Sequence, residues 1–154
     1  MSNQAKLFSY GHKPVVLEVS KQKFKDLTSG KKPFFREKWE RLPGPIDYQQ
    51  NENGLEAIFH YDIKENVQST DYILFAYTYP YNYNDCEWAI NEFESKMKAA
   101  EKMHFEREVL CKTLEGRDMH LLTFCSNSAL ELEKPVVFFT GRVHCGESPG
   151  SYML

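Results

Sequence analysis

The stretch YPYNYNDCE, residues 79–87, is the point at which the sequence changes from a strand pattern to a helix pattern. Asn84 is a residue type that caps helices, and Glu87 follows it three positions later, which is the spacing of a helix start. The apolar residues of this segment recur at helical spacing: Cys86, Ile90, Phe93, Met97 and Ala100. We therefore predict a helix from about Asp85 to about Lys102 whose apolar stripe faces a core.

Three short segments before this point are rich in β-branched and aromatic residues, which is typical of strands. They are residues 15–19, 55–61 and 72–77. Residues with turn chemistry separate them, at 28–30, 43–45 and 51–54. We interpret the lysine-rich stretch 21–32 as a solvated surface stretch and not as a basic binding patch. The pattern predicts a small antiparallel sheet or sandwich over residues 1–83.

The segments after the helix have a different organisation. Residues 105–113 and 119–124 surround turn residues at 115–118, which predicts a hairpin. Residues 135–140 form a continuous apolar run, typical of a strand that is covered on both faces in an α/β sheet. Ser148 as N-cap and Pro149 at the first helical position predict a helix start. Such a strand needs neighbours and such a helix needs length, so we expect residues 84–154 to begin a truncated α/β domain.

Composition sets limits on the class of protein. The chain has 154 residues, of which 42% are hydrophobic and 27% charged, as in an ordinary globular protein. A formal net charge of -3 gives no support for nucleic acid or a membrane surface as partner. The first seven residues lack a signal peptide pattern, and the four cysteines lack metal or disulfide spacing. We expect a reduced, cytoplasmic protein whose partners are proteins or small molecules.

His144 and Glu147 are the candidate metal ligands. They follow the apolar run 135–140 directly, and ligands of open α/β sheets bind outside the carboxyl ends of the strands. Catalytic zinc sites built from two His and one Glu are established. The pattern H-x-x-E is weak by itself, but a strand before it and a helix start after it supply the structural context that the motif needs.

Four segments together resemble the cytosolic carboxypeptidases, the intracellular branch of the zinc carboxypeptidases. Residues 138–153, FFTGRVHCGESPGSYM, resemble the first zinc motif of that family, and residues 79–85 resemble its junction between the N-terminal β-domain and the catalytic domain. Residues 114–118 resemble the turn between the first strands of the catalytic sheet. Trp39, Arg41 and residues 44–48 resemble an N-domain segment. These matches stand in the order of the family and span about residues 34–154.

The resemblance implies an α+β chain overall: an N-terminal antiparallel β-sandwich at 1–83, then the beginning of an α/β zinc carboxypeptidase domain at 84–154. It also implies Zn²⁺-dependent removal of C-terminal residues, typically glutamates, from acidic protein tails such as those of tubulin. His144 and Glu147 are then metal ligands. The resemblance places the third ligand, the catalytic Glu and the carboxylate-binding residues downstream. We therefore expect no catalytic residue, no peptidase activity and weak zinc binding in this chain alone.

Two residues near the ligands have alternative interpretations. Cys145 stands where the family usually has proline, so the loop lacks a residue that fixes φ. A thiol there could also meet the metal, although neighbouring residues rarely both bind one ion. Arg142 is a candidate substrate-binding residue because a guanidinium attracts an acidic substrate. The alternative for Arg142 is a structural ion pair that closes the sheet edge.

Two other functions share parts of this pattern. An amide deacylase of the aspartoacylase type uses the same H-x-x-E logic but lacks a preceding β-domain. A non-catalytic module would bind a partner through the β-domain and carry a vestigial carboxypeptidase segment. The reading frame beyond Leu154 distinguishes them, since a downstream His and Glu support the enzyme. The remaining histidines we expect to be structural or surface residues: His12, His60, His104 and His120.

Overall fold

The computed structural model describes residues 10–52, 54–63, 71–100, 103–126 and 135–153. The strands in these ranges are β1 (Val15–Val19), β2 (Glu40–Arg41), β3 (Asp47–Asn51), β4 (Gly54–Ile58), β5 (Tyr72–Ala76), β6 (Met103–Lys112) and β7 (Asp118–Ser126). The α-helices are α1 (Lys21–Thr28), α2 (Tyr83–Ala100) and α3 (Ser148–Met153), and a 3₁₀ turn covers Phe34–Arg36. The fold is mixed α and β, with small antiparallel sheets.

The chain divides into two compact units. The first unit contains Met1–Asp85 and Gly141–Leu154, and the second contains Cys86–Thr140. The proposed division into domains at residues 1–83 and 84–154 stays a prediction. No helix in the described ranges is long and apolar enough to cross a membrane. The first seven residues, where the sequence shows no signal peptide, lie outside those ranges.

The core of the first unit is built on β1. This strand pairs antiparallel with β2 on one side and with β5 on the other, and Leu17 lies opposite Leu74. Its valines and leucine are buried, and Leu27 and Trp39 pack with three of them. The core cluster is Val15, Leu17, Val19, Leu27 and Trp39. A second antiparallel pair joins β3 to β4. The three predicted strands are confirmed, with slightly shorter bounds at β4 and β5.

Residues 21–32 lie largely at the surface, as predicted, but they also contain a helix that was not predicted, since Lys21–Thr28 forms α1. The hydroxyl of Ser20 accepts a hydrogen bond from the Lys23 amide at 3.3 Å and caps the helix. Phe24 and Leu27, three residues apart, pack into the core, and Leu27 is 2% exposed. Gly30 then ends the helix in the left-handed region at φ 75°. Most of the lysines are nevertheless exposed.

The predicted helix at 85–102 is confirmed as α2, although its cap lies earlier than Asn84. The side chain of Asn82 accepts the Asp85 amide at 3.0 Å, and the Asp85 carboxylate accepts the Asn82 amide at 2.8 Å. This reciprocal pair is a capping box two residues before the predicted one. The Asp85 carboxylate also accepts the Phe34 amide at 2.6 Å. The predicted end, residues 101–102, lies outside the described ranges.

The second unit consists of α2 from Cys86 onward and the predicted hairpin, which is confirmed. Strands β6 and β7 pair antiparallel with a bulge between Val109 and Cys111. Phe93 of α2 packs edge-on against Phe105 and Phe124, with ring centroids 5.6 and 5.2 Å apart. Phe93, one residue of the predicted apolar stripe, therefore contacts the hairpin.

The predicted covered strand at residues 135–140 is wrong. These residues have an irregular backbone, and their apolar side chains are exposed. The exposed fractions are 91% for Val136, 71% for Val137, 72% for Phe138 and 72% for Phe139. A strand forms only where its amides and carbonyls meet a partner strand, and none of the described strands pairs with this run. The α/β sheet expected around it is accordingly not found among the described residues.

Candidate metal site

The candidate ligands lie on a short turn that leads into α3. The Glu147 amide donates to the His144 carbonyl at 3.1 Å, and the Gly150 amide donates to the Glu147 carbonyl at 3.2 Å. These bonds bring the two side chains to the same side of the turn, where Nδ1 of His144 lies 2.9 Å from Oε1 of Glu147. Their side chains are 76% and 63% exposed, so both are accessible to an ion.

The donor set fits zinc. Imidazole nitrogen and carboxylate oxygen are ordinary zinc ligands, and two ligands of one tetrahedral zinc ion lie roughly 3.3 Å apart. The observed separation of 2.9 Å is close to that value. Among the residues that the structure describes, no group of three His, Cys, Asp or Glu side chains could hold a metal. The pair thus offers two ligands, whereas catalytic zinc ions usually have three from the protein.

Arg142 precedes the ligands and directs its guanidinium toward the protein. Nη1 donates to the Tyr81 carbonyl at 2.8 Å and to the Ser151 hydroxyl at 3.3 Å. Nη2 donates to the Cys145 carbonyl at 2.8 Å. These three acceptors are uncharged oxygens, which differs from the ion pair considered as the alternative. The substrate-binding role of Arg142 remains a prediction.

Tyr152 of α3 makes a second connection between the candidate metal motif, residues 142–152, and the junction segment, residues 79–85. Its hydroxyl donates to the Pro80 carbonyl at 2.8 Å, and its ring packs edge-on against Tyr81 at 5.3 Å. Burial, assisted by the charge of Asp85, raises the pKa of Tyr152. Two motifs that are about sixty residues apart in the sequence therefore meet in the first unit.

Ser148, the predicted N-cap, is placed differently from that expectation. It is the first residue of α3 and is only 4% exposed. Its hydroxyl oxygen is buried and has no hydrogen-bond partner in the described part of the chain. The predicted helix start is confirmed, but no hydrogen bond from the Ser148 hydroxyl to the helix accompanies it.

Three of the remaining histidines have contacts elsewhere. Nε2 of His12 lies 2.7 Å from the Tyr77 carbonyl oxygen in the first unit. In the second unit, His120 is largely buried and its Nε2 lies 2.6 Å from a carboxylate oxygen of Glu87, which also accepts a hydrogen bond from Arg107. His104 lies 3.7 Å from Glu106 on β6. The contact of His12, which belongs to the same unit as His144, is thus with Tyr77.

Comparison with known proteins gives one consistent group of relatives. No model of a known protein family matches this sequence. The chain is 32% identical to cytosolic carboxypeptidase 6 of Mus musculus over 126 residues, 77% of the chain and 22% of that protein. It is 31% identical to cytosolic carboxypeptidase 2 of Xenopus tropicalis over 123 residues, 75% of the chain and 12% of that protein.

A third relative aligns with the whole chain. Cytosolic carboxypeptidase-like protein 5 of Homo sapiens is 25% identical over 184 aligned positions, which cover 100% of this chain and 19% of that protein. The chain therefore spans about a fifth or less of the length of these curated relatives.

Proposed function

We propose that this chain is part of a zinc metallocarboxypeptidase. The premise is that the chain belongs to the cytosolic carboxypeptidase family. The reaction is the hydrolytic removal of C-terminal residues, specifically glutamates, from acidic protein tails such as those of tubulin, in the cytoplasm. The choice of glutamate and tubulin is supported by the resemblance of the sequence motifs. In this proposal the chain carries a β-sandwich N-domain and the first segment of an α/β carboxypeptidase domain.

The observation that carries the proposal is the pairing of His144 with Glu147. Their donor atoms lie 2.9 Å apart on an exposed turn, in a motif that resembles the first zinc motif of the family. His144 Nδ1 and a Glu147 oxygen would hold the ion, and the third protein ligand would come from outside this chain. When bound, zinc lowers the pKa of a water molecule and polarises the scissile carbonyl.

The proposal predicts that zinc and activity are lost together when either ligand is changed. The test uses the full-length protein that contains this sequence, with zinc measured by atomic emission and glutamate release from a peptide ending in glutamates measured by mass spectrometry. We expect His144→Ala and Glu147→Gln to lower kcat/KM and zinc affinity at least about a hundredfold, since even residues that only orient ligands contribute 10- to 100-fold.

His104→Ala and Glu108→Gln are the matched controls, because both residues are exposed on β6 and should leave zinc and activity unchanged. Full zinc content in His144→Ala would contradict the proposal. A wild-type protein without zinc and without hydrolysis would overturn it in favour of a binding module. Hydrolysis of N-acyl amino acids in place of peptides would overturn it in favour of a deacylase.

A further inference from the structure

Arg142 connects three separate segments around the candidate ligands. Its guanidinium donates to the carbonyl of Tyr81 in the junction segment, to the carbonyl of Cys145 between the ligands and to the hydroxyl of Ser151 in α3, at 2.8, 2.8 and 3.3 Å. A guanidinium presents several donors in one rigid plane, whereas a lysine ammonium is a point charge on a flexible stem. Arginine is therefore suited to hold three oxygens at once.

The backbone at Arg142 is adapted to this contact. Its φ of 60° is the one positive value among the described non-glycine residues. Few arginines adopt this conformation, and such residues persist where the surrounding structure holds them. The hydrogen bonds of the side chain to residues 81, 145 and 151 are the surroundings that do so.

Apart from Arg142, the turn that carries the ligands is held mainly by hydrogen bonds among its own residues. Both ligand side chains are more than half exposed, and Cys145 is exposed as well. Cysteine also leaves φ free at the position between the ligands, where proline would restrict it. The hydrogen bond from Arg142 to the Cys145 carbonyl fixes the orientation of that carbonyl. It therefore orders the backbone at Cys145, where the residue type leaves φ free.

The other end of the contact is firmly anchored. Tyr81 precedes Asn82, whose amide donates to the Asp85 carboxylate at 2.8 Å, and Asp85 is only 1% exposed. The Tyr152 hydroxyl binds the neighbouring Pro80 carbonyl. The oxygen that Arg142 contacts in the junction segment thus belongs to a well-fixed part of the first unit.

We infer that Arg142 is a positioning residue that clamps the His144–Glu147 turn to the junction segment and thereby sets the geometry of the metal ligands. It acts through the ligands and contacts neither metal nor substrate. This inference rests on the proposed function, because it takes the pair to be the zinc site.

The test compares Arg142→Gly and Arg142→Lys in the full-length protein. Glycine adopts a φ of 60° without strain but lacks the clamp, so it separates the role of the side chain from that of the backbone. Lysine keeps the charge but lacks the planar fork. Arg117→Gly, in the exposed hairpin turn, is the control for loss of a positive charge.

Three measurements decide the outcome: zinc affinity by chelator competition, the absorption spectrum of the cobalt-substituted protein, and hydrogen exchange of the Glu147 and Gly150 amides without metal. We expect both variants to lose about 10- to 100-fold in zinc affinity, to change the cobalt spectrum and to exchange these amides faster. The KM for a glutamate-tailed peptide should stay within about twofold while kcat falls. Arg117→Gly should match the wild type.

Unchanged amide exchange and zinc affinity in Arg142→Gly would overturn the clamp even if the wild type is an active zinc enzyme. A rise in KM alone, with partial recovery in Arg142→Lys, would overturn it in favour of direct substrate binding. If the wild type binds no zinc, the proposed function fails separately. Faster exchange of the Glu147 and Gly150 amides would then still support the clamp, and unchanged exchange would overturn it.

Discussion

Asp85 is a buried carboxylate whose role is structural. It accepts the amides of Phe34 and Asn82 on different oxygens, so one side chain fixes the 3₁₀ turn, the junction segment and the start of α2. Burial raises the pKa of Asp85, and its hydrogen bonds to backbone amides oppose that rise. Asp85, which in the sequence is only the approximate first residue of the predicted helix, therefore anchors the segment that Arg142 contacts.

Replacing Asp85 should destabilise the protein. We expect Asp85→Ala to lower the free energy of unfolding by about 3 kcal/mol, because two backbone amides lose the buried carboxylate that accepts their hydrogen bonds. Asp85→Asn should lower the free energy of unfolding by less, since the asparagine side-chain oxygen can still accept a hydrogen bond from one of the two amides. Urea unfolding followed by circular dichroism measures both. A loss below about 1 kcal/mol in Asp85→Ala would contradict the anchoring role.

The contribution of Asp85 should also depend on pH in a defined direction. A carboxyl whose pKa is raised by folding binds its proton more tightly in the folded protein. Protonation of Asp85 therefore adds stability that is fully present below the unfolded pKa of 3.8 and is lost as the pH rises through the folded pKa. The free energy of unfolding of the wild type, relative to that of Asp85→Asn, should therefore fall as the pH rises from 3.8. The pKa of Asp118 is lowered by its hydrogen bond to Lys112. The free energy of unfolding of the wild type, relative to that of Asp118→Asn, should therefore rise as the pH rises to 3.8.

Tyr61 gives a second prediction for a single residue. Its phenol donates a hydrogen bond to the Glu18 carboxylate, and burial together with this bond raises the pKa of Tyr61 to about 12. Ultraviolet titration should show one tyrosine that ionises near this pH and that is absent in Tyr61→Phe. Glu18→Gln should move this ionisation toward the ordinary value of 10.0. Identical titration curves for wild type and Tyr61→Phe near pH 12 would refute the assignment.

The helix α1 and the run at 135–140 show why some elements are misread. Lysines dominate the composition of α1, yet two apolar residues three positions apart are sufficient to dock it on the core. The signal was present in Ser20, Phe24 and Leu27 but is short. Residues 135–140 have a strong apolar pattern that does not correspond to a strand. The pattern predicts burial but does not specify a partner strand, and none of the described strands pairs with this run.

Docking of α1 through Leu27 should be measurable as stability. Leu27 is 2% exposed, and truncation of such a leucine to alanine typically costs 2–5 kcal/mol. We therefore expect Leu27→Ala to lower the free energy of unfolding by about 3 kcal/mol. Lys25→Ala on the exposed side of the same helix should change it by less than about 0.5 kcal/mol. Equal effects of the two variants would contradict the packing of α1.

At the scale of the whole molecule, the main result is the meeting of two distant motifs. The junction segment at 79–85 and the candidate metal motif at 142–152 both belong to the first unit, where Arg142 and Tyr152 join them by hydrogen bonds. The hairpin between them in the sequence forms the second unit with α2. Each motif by itself resembles the same family, and in the folded chain hydrogen bonds connect the two motifs.

The sequence by itself determined the antiparallel strands, the helix α2, the hairpin, the family and the pair of candidate ligands. The strands, the helix and the hairpin follow from local periodicity and turn residues, and the candidate ligands from a spacing of three residues. The family follows from the resemblance of four sequence segments. The tertiary structure decided that Asn82 and Asp85 form the cap, that α1 exists, and that the Arg142 guanidinium faces protein oxygens. The Arg142 contacts depend on a carbonyl oxygen about sixty residues away, and the docking of α1 depends on the core strands that it packs against. The cap at Asn82 is local, but its Asp85 carboxylate also binds the distant Phe34 amide. Backbone partners of this kind carry no signature in a list of side chains.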